Sequence, residues 1–205
     1  MQDFFQFGIA VVIISASGVM SPGPLFVATI ANGIRQGARA GFRIAFGHTL
    51  VELPLVVSIG LGILSLDAMP QFRVSIGILG ALSIFGFAGL QIISTLRKDP
   101  MQYKSKYGSF LTGILLTGLN PFFLIWWFTI GFKLISDALL LWSIWGILIM
   151  FALHIWMDYA WLVLVSFLSS RGKVFLSNKR YKIGMIGINA VLIYFGITFI
   201  LQAKI

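Results

Sequence analysis

Ser21-Pro22-Gly23-Pro24 interrupts an apolar run that extends from about Phe4 to Ile30. About 20 apolar residues at 1.5 Å each cross the hydrocarbon core of a bilayer, so the run is long enough to span one. Each proline lacks an N–H and presses on the carbonyl four residues back. Pro22 is therefore expected to free the carbonyl of Gly18, and Pro24 that of Met20. Freed backbone groups are not tolerated against lipid, only inside protein or along a water-filled cavity. A single proline would read as a kink. Pro-Gly-Pro behind Ser21 reads instead as a functional break, of the kind that places a solute site at membrane depth.

The rest of the composition agrees with a membrane setting. The chain has 205 residues, 59% of them hydrophobic and 10% charged, with a mean hydropathy of +0.97. Soluble domains carry about 25% charged residues. The class read from this is an all-α polytopic membrane protein. There is no cysteine, which excludes disulfides, thiol chemistry and Cys-ligated metal or iron–sulfur centres. The net charge of +9 does not point to nucleic acid, because the basic residues fall in short connectors between apolar stretches. The start, Met1-Gln2-Asp3, is acidic and the apolar run is too long for a signal-peptide core, so this run is expected to be a span.

Hydropathy divides the chain into six spans, at about 4–31, 44–66, 74–96, 110–131, 138–168 and 183–201. Arg35, Arg39 and Arg43 follow the first. Arg97, Lys98, Lys104 and Lys106 follow the third. Arg171, Lys173, Lys179, Arg180 and Lys182 follow the fifth. Twelve basic residues thus share one side, against Arg73, Lys133 and Lys204 on the other. Basic loops stay cytoplasmic, so a multi-pass cell-membrane protein with both termini outside is expected. Tyr103, Tyr107 and Tyr181 near the basic loops, and Trp142 near the other side, suit interfacial anchors. The third span is rich in small residues (Gly77, Gly80, Ala81, Gly86, Ala88 and Gly89) and reads as a packing helix. Gly33, Gly37 and Gly41 straddle the first basic connector and are read as shaping a turn.

The two halves repeat a pattern. The break in the first span has a counterpart at Thr117-Gly118-Leu119-Asn120-Pro121 in the fourth, where Pro121 is expected to free the carbonyl of Thr117. His48 and Glu52 in the second span match His154 and Asp158 in the fifth. Each is a histidine with an acid four residues on, hence on one helix face. They are the chain's two histidines, and Glu52 and Asp158 are the two of its six acids that fall well inside spans. Three spans per half is an odd number, so the halves enter the membrane in opposite senses. The expected layout is a single transmembrane domain over 1–205: repeat 1 at about 1–96, a basic cytoplasmic connector at 97–109, and repeat 2 at about 110–201. The site falls between the halves near the midplane. For Asp158 to match Glu52 in depth, the stretch around Leu139 to Trp142 should project outward. An acid at a helix centre costs on the order of 2.5–3.5 kcal/mol on insertion scales. One such pair would serve equally as an internal packing bond; two in matched positions favour function. Pro54 is expected to free the carbonyl of Leu50 close to Glu52.

The chain resembles the LysE/RhtB amino-acid exporters over most of its length. The residues that carry the resemblance are Ser21-Pro22-Gly23-Pro24, the stretch from Gly37-Ala38-Arg39-Ala40-Gly41-Phe42 to Gly47, and Asn120-Pro121. The resemblance implies export of amino acids, generally in exchange with a proton or sodium gradient. Phe122 stands where the family commonly has a lysine. The histidine–acid turns are read from the residues themselves and not from the family.

The reading is a secondary transporter, not an enzyme, that exports an amino acid or similar small solute. Its partners would be that solute and the lipid bilayer, with no nucleic acid, no cofactor beyond a proton or sodium gradient, and homo-oligomerisation left open. Ser21, Pro22, Gly23, Pro24, Asn120 and Pro121 would contact solute. The half-helix N-termini would face a carboxylate, and the freed carbonyls an ammonium or a coupling cation. His48, Glu52, His154 and Asp158 would carry protons or bind the amine, imidazole titrating near physiological pH. One rival is efflux of a divalent metal ion on two histidines and two carboxylates, with no cysteine, His-rich loop or dense acidic cluster to support it. An intramembrane metal-dependent hydrolase would lack a His-Glu-x-x-His or serine-nucleophile motif. A packing or sensor protein would need no doubled break.

Overall fold

The computed structural model describes residues 4–21, 23–62, 108–172 and 178–203, together with 78, 81, 82, 84–86, 88, 89, 92, 93 and 96; within 178–203 only some side chains are described. Every element among them is helical: α1 (Phe4–Val19), α2 (Pro24–Gln36), α3 (Ala38–Gly60), α4 (Gly108–Gly118), α5 (Pro121–Trp126), a π-helical turn (Trp127–Gly131), α6 (Phe132–Trp142), α7 (Trp145–Gly172) and α8 (Asn178–Ala203). Helices Ala38–Gly60 and Trp145–Gly172 and the continuous stretch Pro121–Trp142 are each long and apolar enough to cross a membrane. The bent pair α1–α2 adds a fourth candidate. The protein is a multi-pass membrane protein. Phe42, Phe46, Leu148, Trp156 and Leu164 are exposed on its surface, as a lipid-facing surface requires.

The axes of α1 and α2 differ by 76°, which makes the first break a bend. Pro24 sits at the first turn of α2, where a missing N–H removes no helical bond. The carbonyl of Gly18 is not left bare, because the Ser21 N–H bonds to it at 3.1 Å. The carbonyl of Thr117 likewise accepts from the Asn120 N–H at 3.1 Å. In both places a tighter i→i+3 bond replaces the one lost to proline. Pro54 lies inside α3 without ending it. Pro22 lies outside the described residues.

The helices overrun the hydropathy spans. Residues 32–43 are helical apart from a turn at Gly37, whose φ of 67° favours glycine. Arg39 and Arg43 therefore ride the first turns of α3 rather than a loop. The region assigned as the start of a fifth span belongs to α6, and α7 begins only at Trp145. The hydropathy spans leave 132–137, with Lys133 and Asp137, as a connector. These two residues pair within one helix face at 2.8 Å, so the helix runs through them. The outward projection expected of Leu139 to Trp142 is thus not an extension of the fifth helix. Ser143 (φ 52°) and Ile144 make the tight turn into α7.

Helix α3 lies between α7 and α4, and α2 also packs on α7. Glycines set these crossings. A Cβ on Gly33 would strike the Ser166 backbone, one on Gly41 the Leu162 carbonyl, one on Gly47 the Phe110 carbonyl, and one on Gly113 the Ile44 carbonyl. Of the glycines read as turn-forming, only Gly37 turns the chain; Gly33 and Gly41 are seams against α7. In the third span, Ala81, Ile84 and Ala88 form the buried stripe against Val27, Ala28 and Leu116. A Cβ on Gly86 or Gly89 would meet nothing among the described residues. Trp142 makes edge contacts with Phe4 and Phe7, holding α1 to the end of α6. Tyr103 and Tyr107 lie outside the described residues.

Candidate functional site

A cavity of about 350 Å³ opens at the bend between α1 and α2 and reaches the centre of the bundle. Ser21, Gly23, Pro24 and Asn120 line it, as do His48, Glu52, His154 and Asp158. Both chain breaks and both histidine–acid turns therefore meet at one space. Pro121 is not among the lining residues; it occupies the first turn of α5.

The four ionisable groups form one cluster. His48 Nε2 is 3.1 Å from Glu52 and His154 Nε2 is 3.1 Å from Asp158, each pair being one helical turn apart. Each histidine also faces the other helix's acid: His154–Glu52 is 3.2 Å and His48–Asp158 is 3.6 Å. The Gly41 seam brings α3 and α7 close enough for these crossed pairs. All four residues are at most 5% exposed. Three of their atoms have no in-line hydrogen-bond partner: His48 Nε2, Glu52 Oε2 and Asp158 Oδ2. Asp158 Oδ2 and His48 Nε2 have their acid or histidine neighbours within ion-pair range but off the hydrogen-bonding axis.

The outer nitrogens of the two rings are held in a crossed arrangement that the sequence reading missed. His48 Nδ1, from the first half, is 2.8 Å from Thr117 Oγ1 at the end of α4. His154 Nδ1, from the second half, is 2.8 Å from Ser15 Oγ in α1. Each imidazole is thus oriented by a hydroxyl from the broken helix of the other half, and Nε2 is turned to the acids. Ser15 and Thr117 are both buried. Their signal was available: each is a hydroxyl one or two turns before a break, inside an apolar run.

Tryptophan indoles complete the walls. Trp127 donates Nε1–H to Glu52 Oε1 at 3.1 Å and sets its ring edge-on to His154. Phe26, Phe122, Phe123, Trp126 and Trp161 also line the cavity, and Phe123 packs edge-on against His48. The doublet Trp126-Trp127, one turn past Asn120-Pro121, was the sequence signal for this wall.

The two breaks differ at their N-termini. The Asn120 side chain accepts from the Phe122 N–H at 3.1 Å and caps its own helix. Helix α2 begins at Gly23 with no side-chain cap, and Leu25 and Phe26, whose N–H groups lie in its first turn, line the cavity. The cavity therefore has an anion-favouring end at α2, a pair of carboxylates at its base, and aromatic walls between.

A family model described as LysE type translocator matches residues 16–203, most of the chain. No curated protein and no solved structure gives a significant match.

Proposed function

The chain belongs to the LysE type translocator family and is a transporter of amino acids or similar solutes; on that premise we propose that it exports an amino acid through the cavity between its two broken helices, driven by a proton or sodium gradient. The observation that carries the reading is the convergence of both breaks and both histidine–acid turns on one cavity. The solute carboxylate lies at the uncapped first turn of α2, beside Ser21, Gly23 and Pro24. Its ammonium lies against Glu52 and Asp158, and its side chain against the aromatic wall. Asn120, its side chain already used as a cap, shapes the cavity and contacts the solute from the α5 side. Pro121, in the first turn of α5, holds the second break open, and Pro22 is proposed to contact the solute beside the first. The coupling ion and the ammonium use the same two acids in turn, with His48 and His154 as their neutralising partners. No cofactor is required.

The crossed hydroxyl–histidine bonds support an inverted repeat of two three-helix units, about 1–96 and 110–201, related about the cluster. In that arrangement six spans place the basic residues at 32–43, 97–109 and 169–182 in the cytoplasm and both termini outside. A reporter fused after Lys204 is expected to read outside. A cytoplasmic reading would remove the six-span layout and the inverted repeat with it.

The function is tested by efflux from vesicles holding the purified chain, with a panel of amino acids and divalent metal ions. Gradient-dependent flux of at least one amino acid is expected. Flux of a metal ion with no amino-acid flux would replace this reading with ion efflux, the rival that two histidines and two carboxylates keep in view.

A further inference from the structure

We propose that His48, Glu52 and Asp158 form a binding site for a first-row divalent transition-metal ion such as Zn²⁺, and that the ion blocks transport by occupying the place of the solute's ammonium. The competition rests on the reading of this cavity as the solute site; the metal site itself does not.

The donor atoms of these three buried residues all lie within 4.8 Å of one another. Around a tetrahedral ion with bonds of about 2.1 Å, neighbouring donors are about 3.4 Å apart. The separations of His48 Nε2 from Glu52 Oε1 and from Asp158 Oδ1, 3.1 and 3.6 Å, bracket that edge. His48 Nε2, Glu52 Oε2 and Asp158 Oδ2 all lack an in-line partner within the protein, although their residues are at least nine-tenths buried. Buried polar atoms without partners are rare in native structures, and a cation held between these residues would engage His48 Nε2 together with one oxygen of each acid. The outer face of the ligand ring is also in place. His48 Nδ1 is 2.8 Å from Thr117 Oγ1, the type of orienting contact that metal-bound imidazoles have. His154 stands across the same two acids, at 3.2 and 3.1 Å. His48, Glu52 and Asp158 all line the cavity.

The donor set selects the ion. Mixed imidazole and carboxylate ligands suit zinc and its neighbours. Calcium takes six to eight oxygen ligands and magnesium a near-octahedral oxygen shell, so a site that spends one position on an imidazole nitrogen disfavours both.

Trp127 offers an internal reporter, because its Nε1–H bonds to Glu52 Oε1. Full-length chain in detergent is titrated with Zn²⁺ while tryptophan emission is followed. A saturable change at one ion per chain is expected, and excess Mg²⁺ should not reproduce it. The Asp137→Asn variant, which removes the half-buried acid of α6, should bind as the wild type does. The Glu52→Gln/Asp158→Asn double variant should lose binding. Zinc X-ray absorption of the wild-type complex supplies a readout independent of any variant, with imidazole expected in the first shell. Binding retained by the double variant, a shell without imidazole, or no saturable binding at all would overturn the site. If Zn²⁺ binds but amino-acid exchange in vesicles is unchanged, the metal site stands and the competition falls, together with the placement of solute at these acids. If exchange is normal and Zn²⁺ does not bind, the transport reading stands and the metal site falls.

Discussion

Glu52→Gln and Asp158→Asn, each alone, abolish transport driven by a pH gradient and leave downhill solute exchange measurable. The expected loss of the driven component is about two orders of magnitude, the upper end of ordinary coupling between sites. Neutral isosteres keep the shape, and in either single variant both histidines still face the remaining acid, so no buried charge is left without a partner and the fold should survive. At position 52 the amide oxygen can still accept from Trp127 Nε1, which now bonds Glu52 Oε1 at 3.1 Å. The histidines keep their hydroxyl partners, Thr117 and Ser15. What disappears is the charge that the amine and the coupling ion share. If the cluster serves packing alone, the opposite pattern follows: melting temperature moves and driven transport stays. Measuring both quantities on the same vesicle preparations separates the two.

Gly41→Ala is expected to destabilise the protein by about 2–3 kcal/mol and to stop transport. A methyl at this position would overlap the carbonyl of Leu162 and the Cα of Val163. Those are backbone atoms of α7, so no side-chain rotation relieves the clash and the two helices must separate. Leu162 lies one turn beyond Asp158, and Gly41 two turns before His48. Separation therefore pulls apart the crossed His48–Asp158 and His154–Glu52 pairs. Gly8→Ala is the control. A Cβ there meets nothing, and alanine is favoured over glycine in a helix by about 1 kcal/mol, so its melting temperature should hold or rise. Equal loss in both variants would show that the seam is not what positions the cluster.

The parts of this account that were legible in the sequence are those written in residue type at short range. Two prolines and a glycine within three positions mark a break wherever they fall in an apolar run. A histidine and an acid at i, i+4 must share a helix face. The deeper arrangement depended on which helices touch. Nothing local says that Thr117 meets His48 or that Ser15 meets His154, since 69 and 139 residues separate them. The fate of the freed carbonyls was also misread. Counting lost i→i−4 bonds left Gly18 and Thr117 with bare acceptors, but the chain tightens by one residue and satisfies them. Helix ends were misplaced for a related reason. Hydropathy registers the part of a helix that suits lipid, whereas α3 continues through Arg39 and Arg43 and α6 through its own Lys133–Asp137 pair. Gly33 and Gly41 looked like turn residues because they flank charges. Their role is set by α7, which is distant in sequence.

The central claim is that one cavity, joined to both breaks and to the four-residue cluster, holds the transported amino acid. Its most direct test is the structure of the protein determined in a membrane mimetic with a transported amino acid bound. The ammonium is expected within hydrogen-bond distance of Glu52 or Asp158 and the carboxylate at the first turn of α2, beside Gly23 and Pro24. Solute density elsewhere, with the cluster and the α2 terminus untouched, would contradict it.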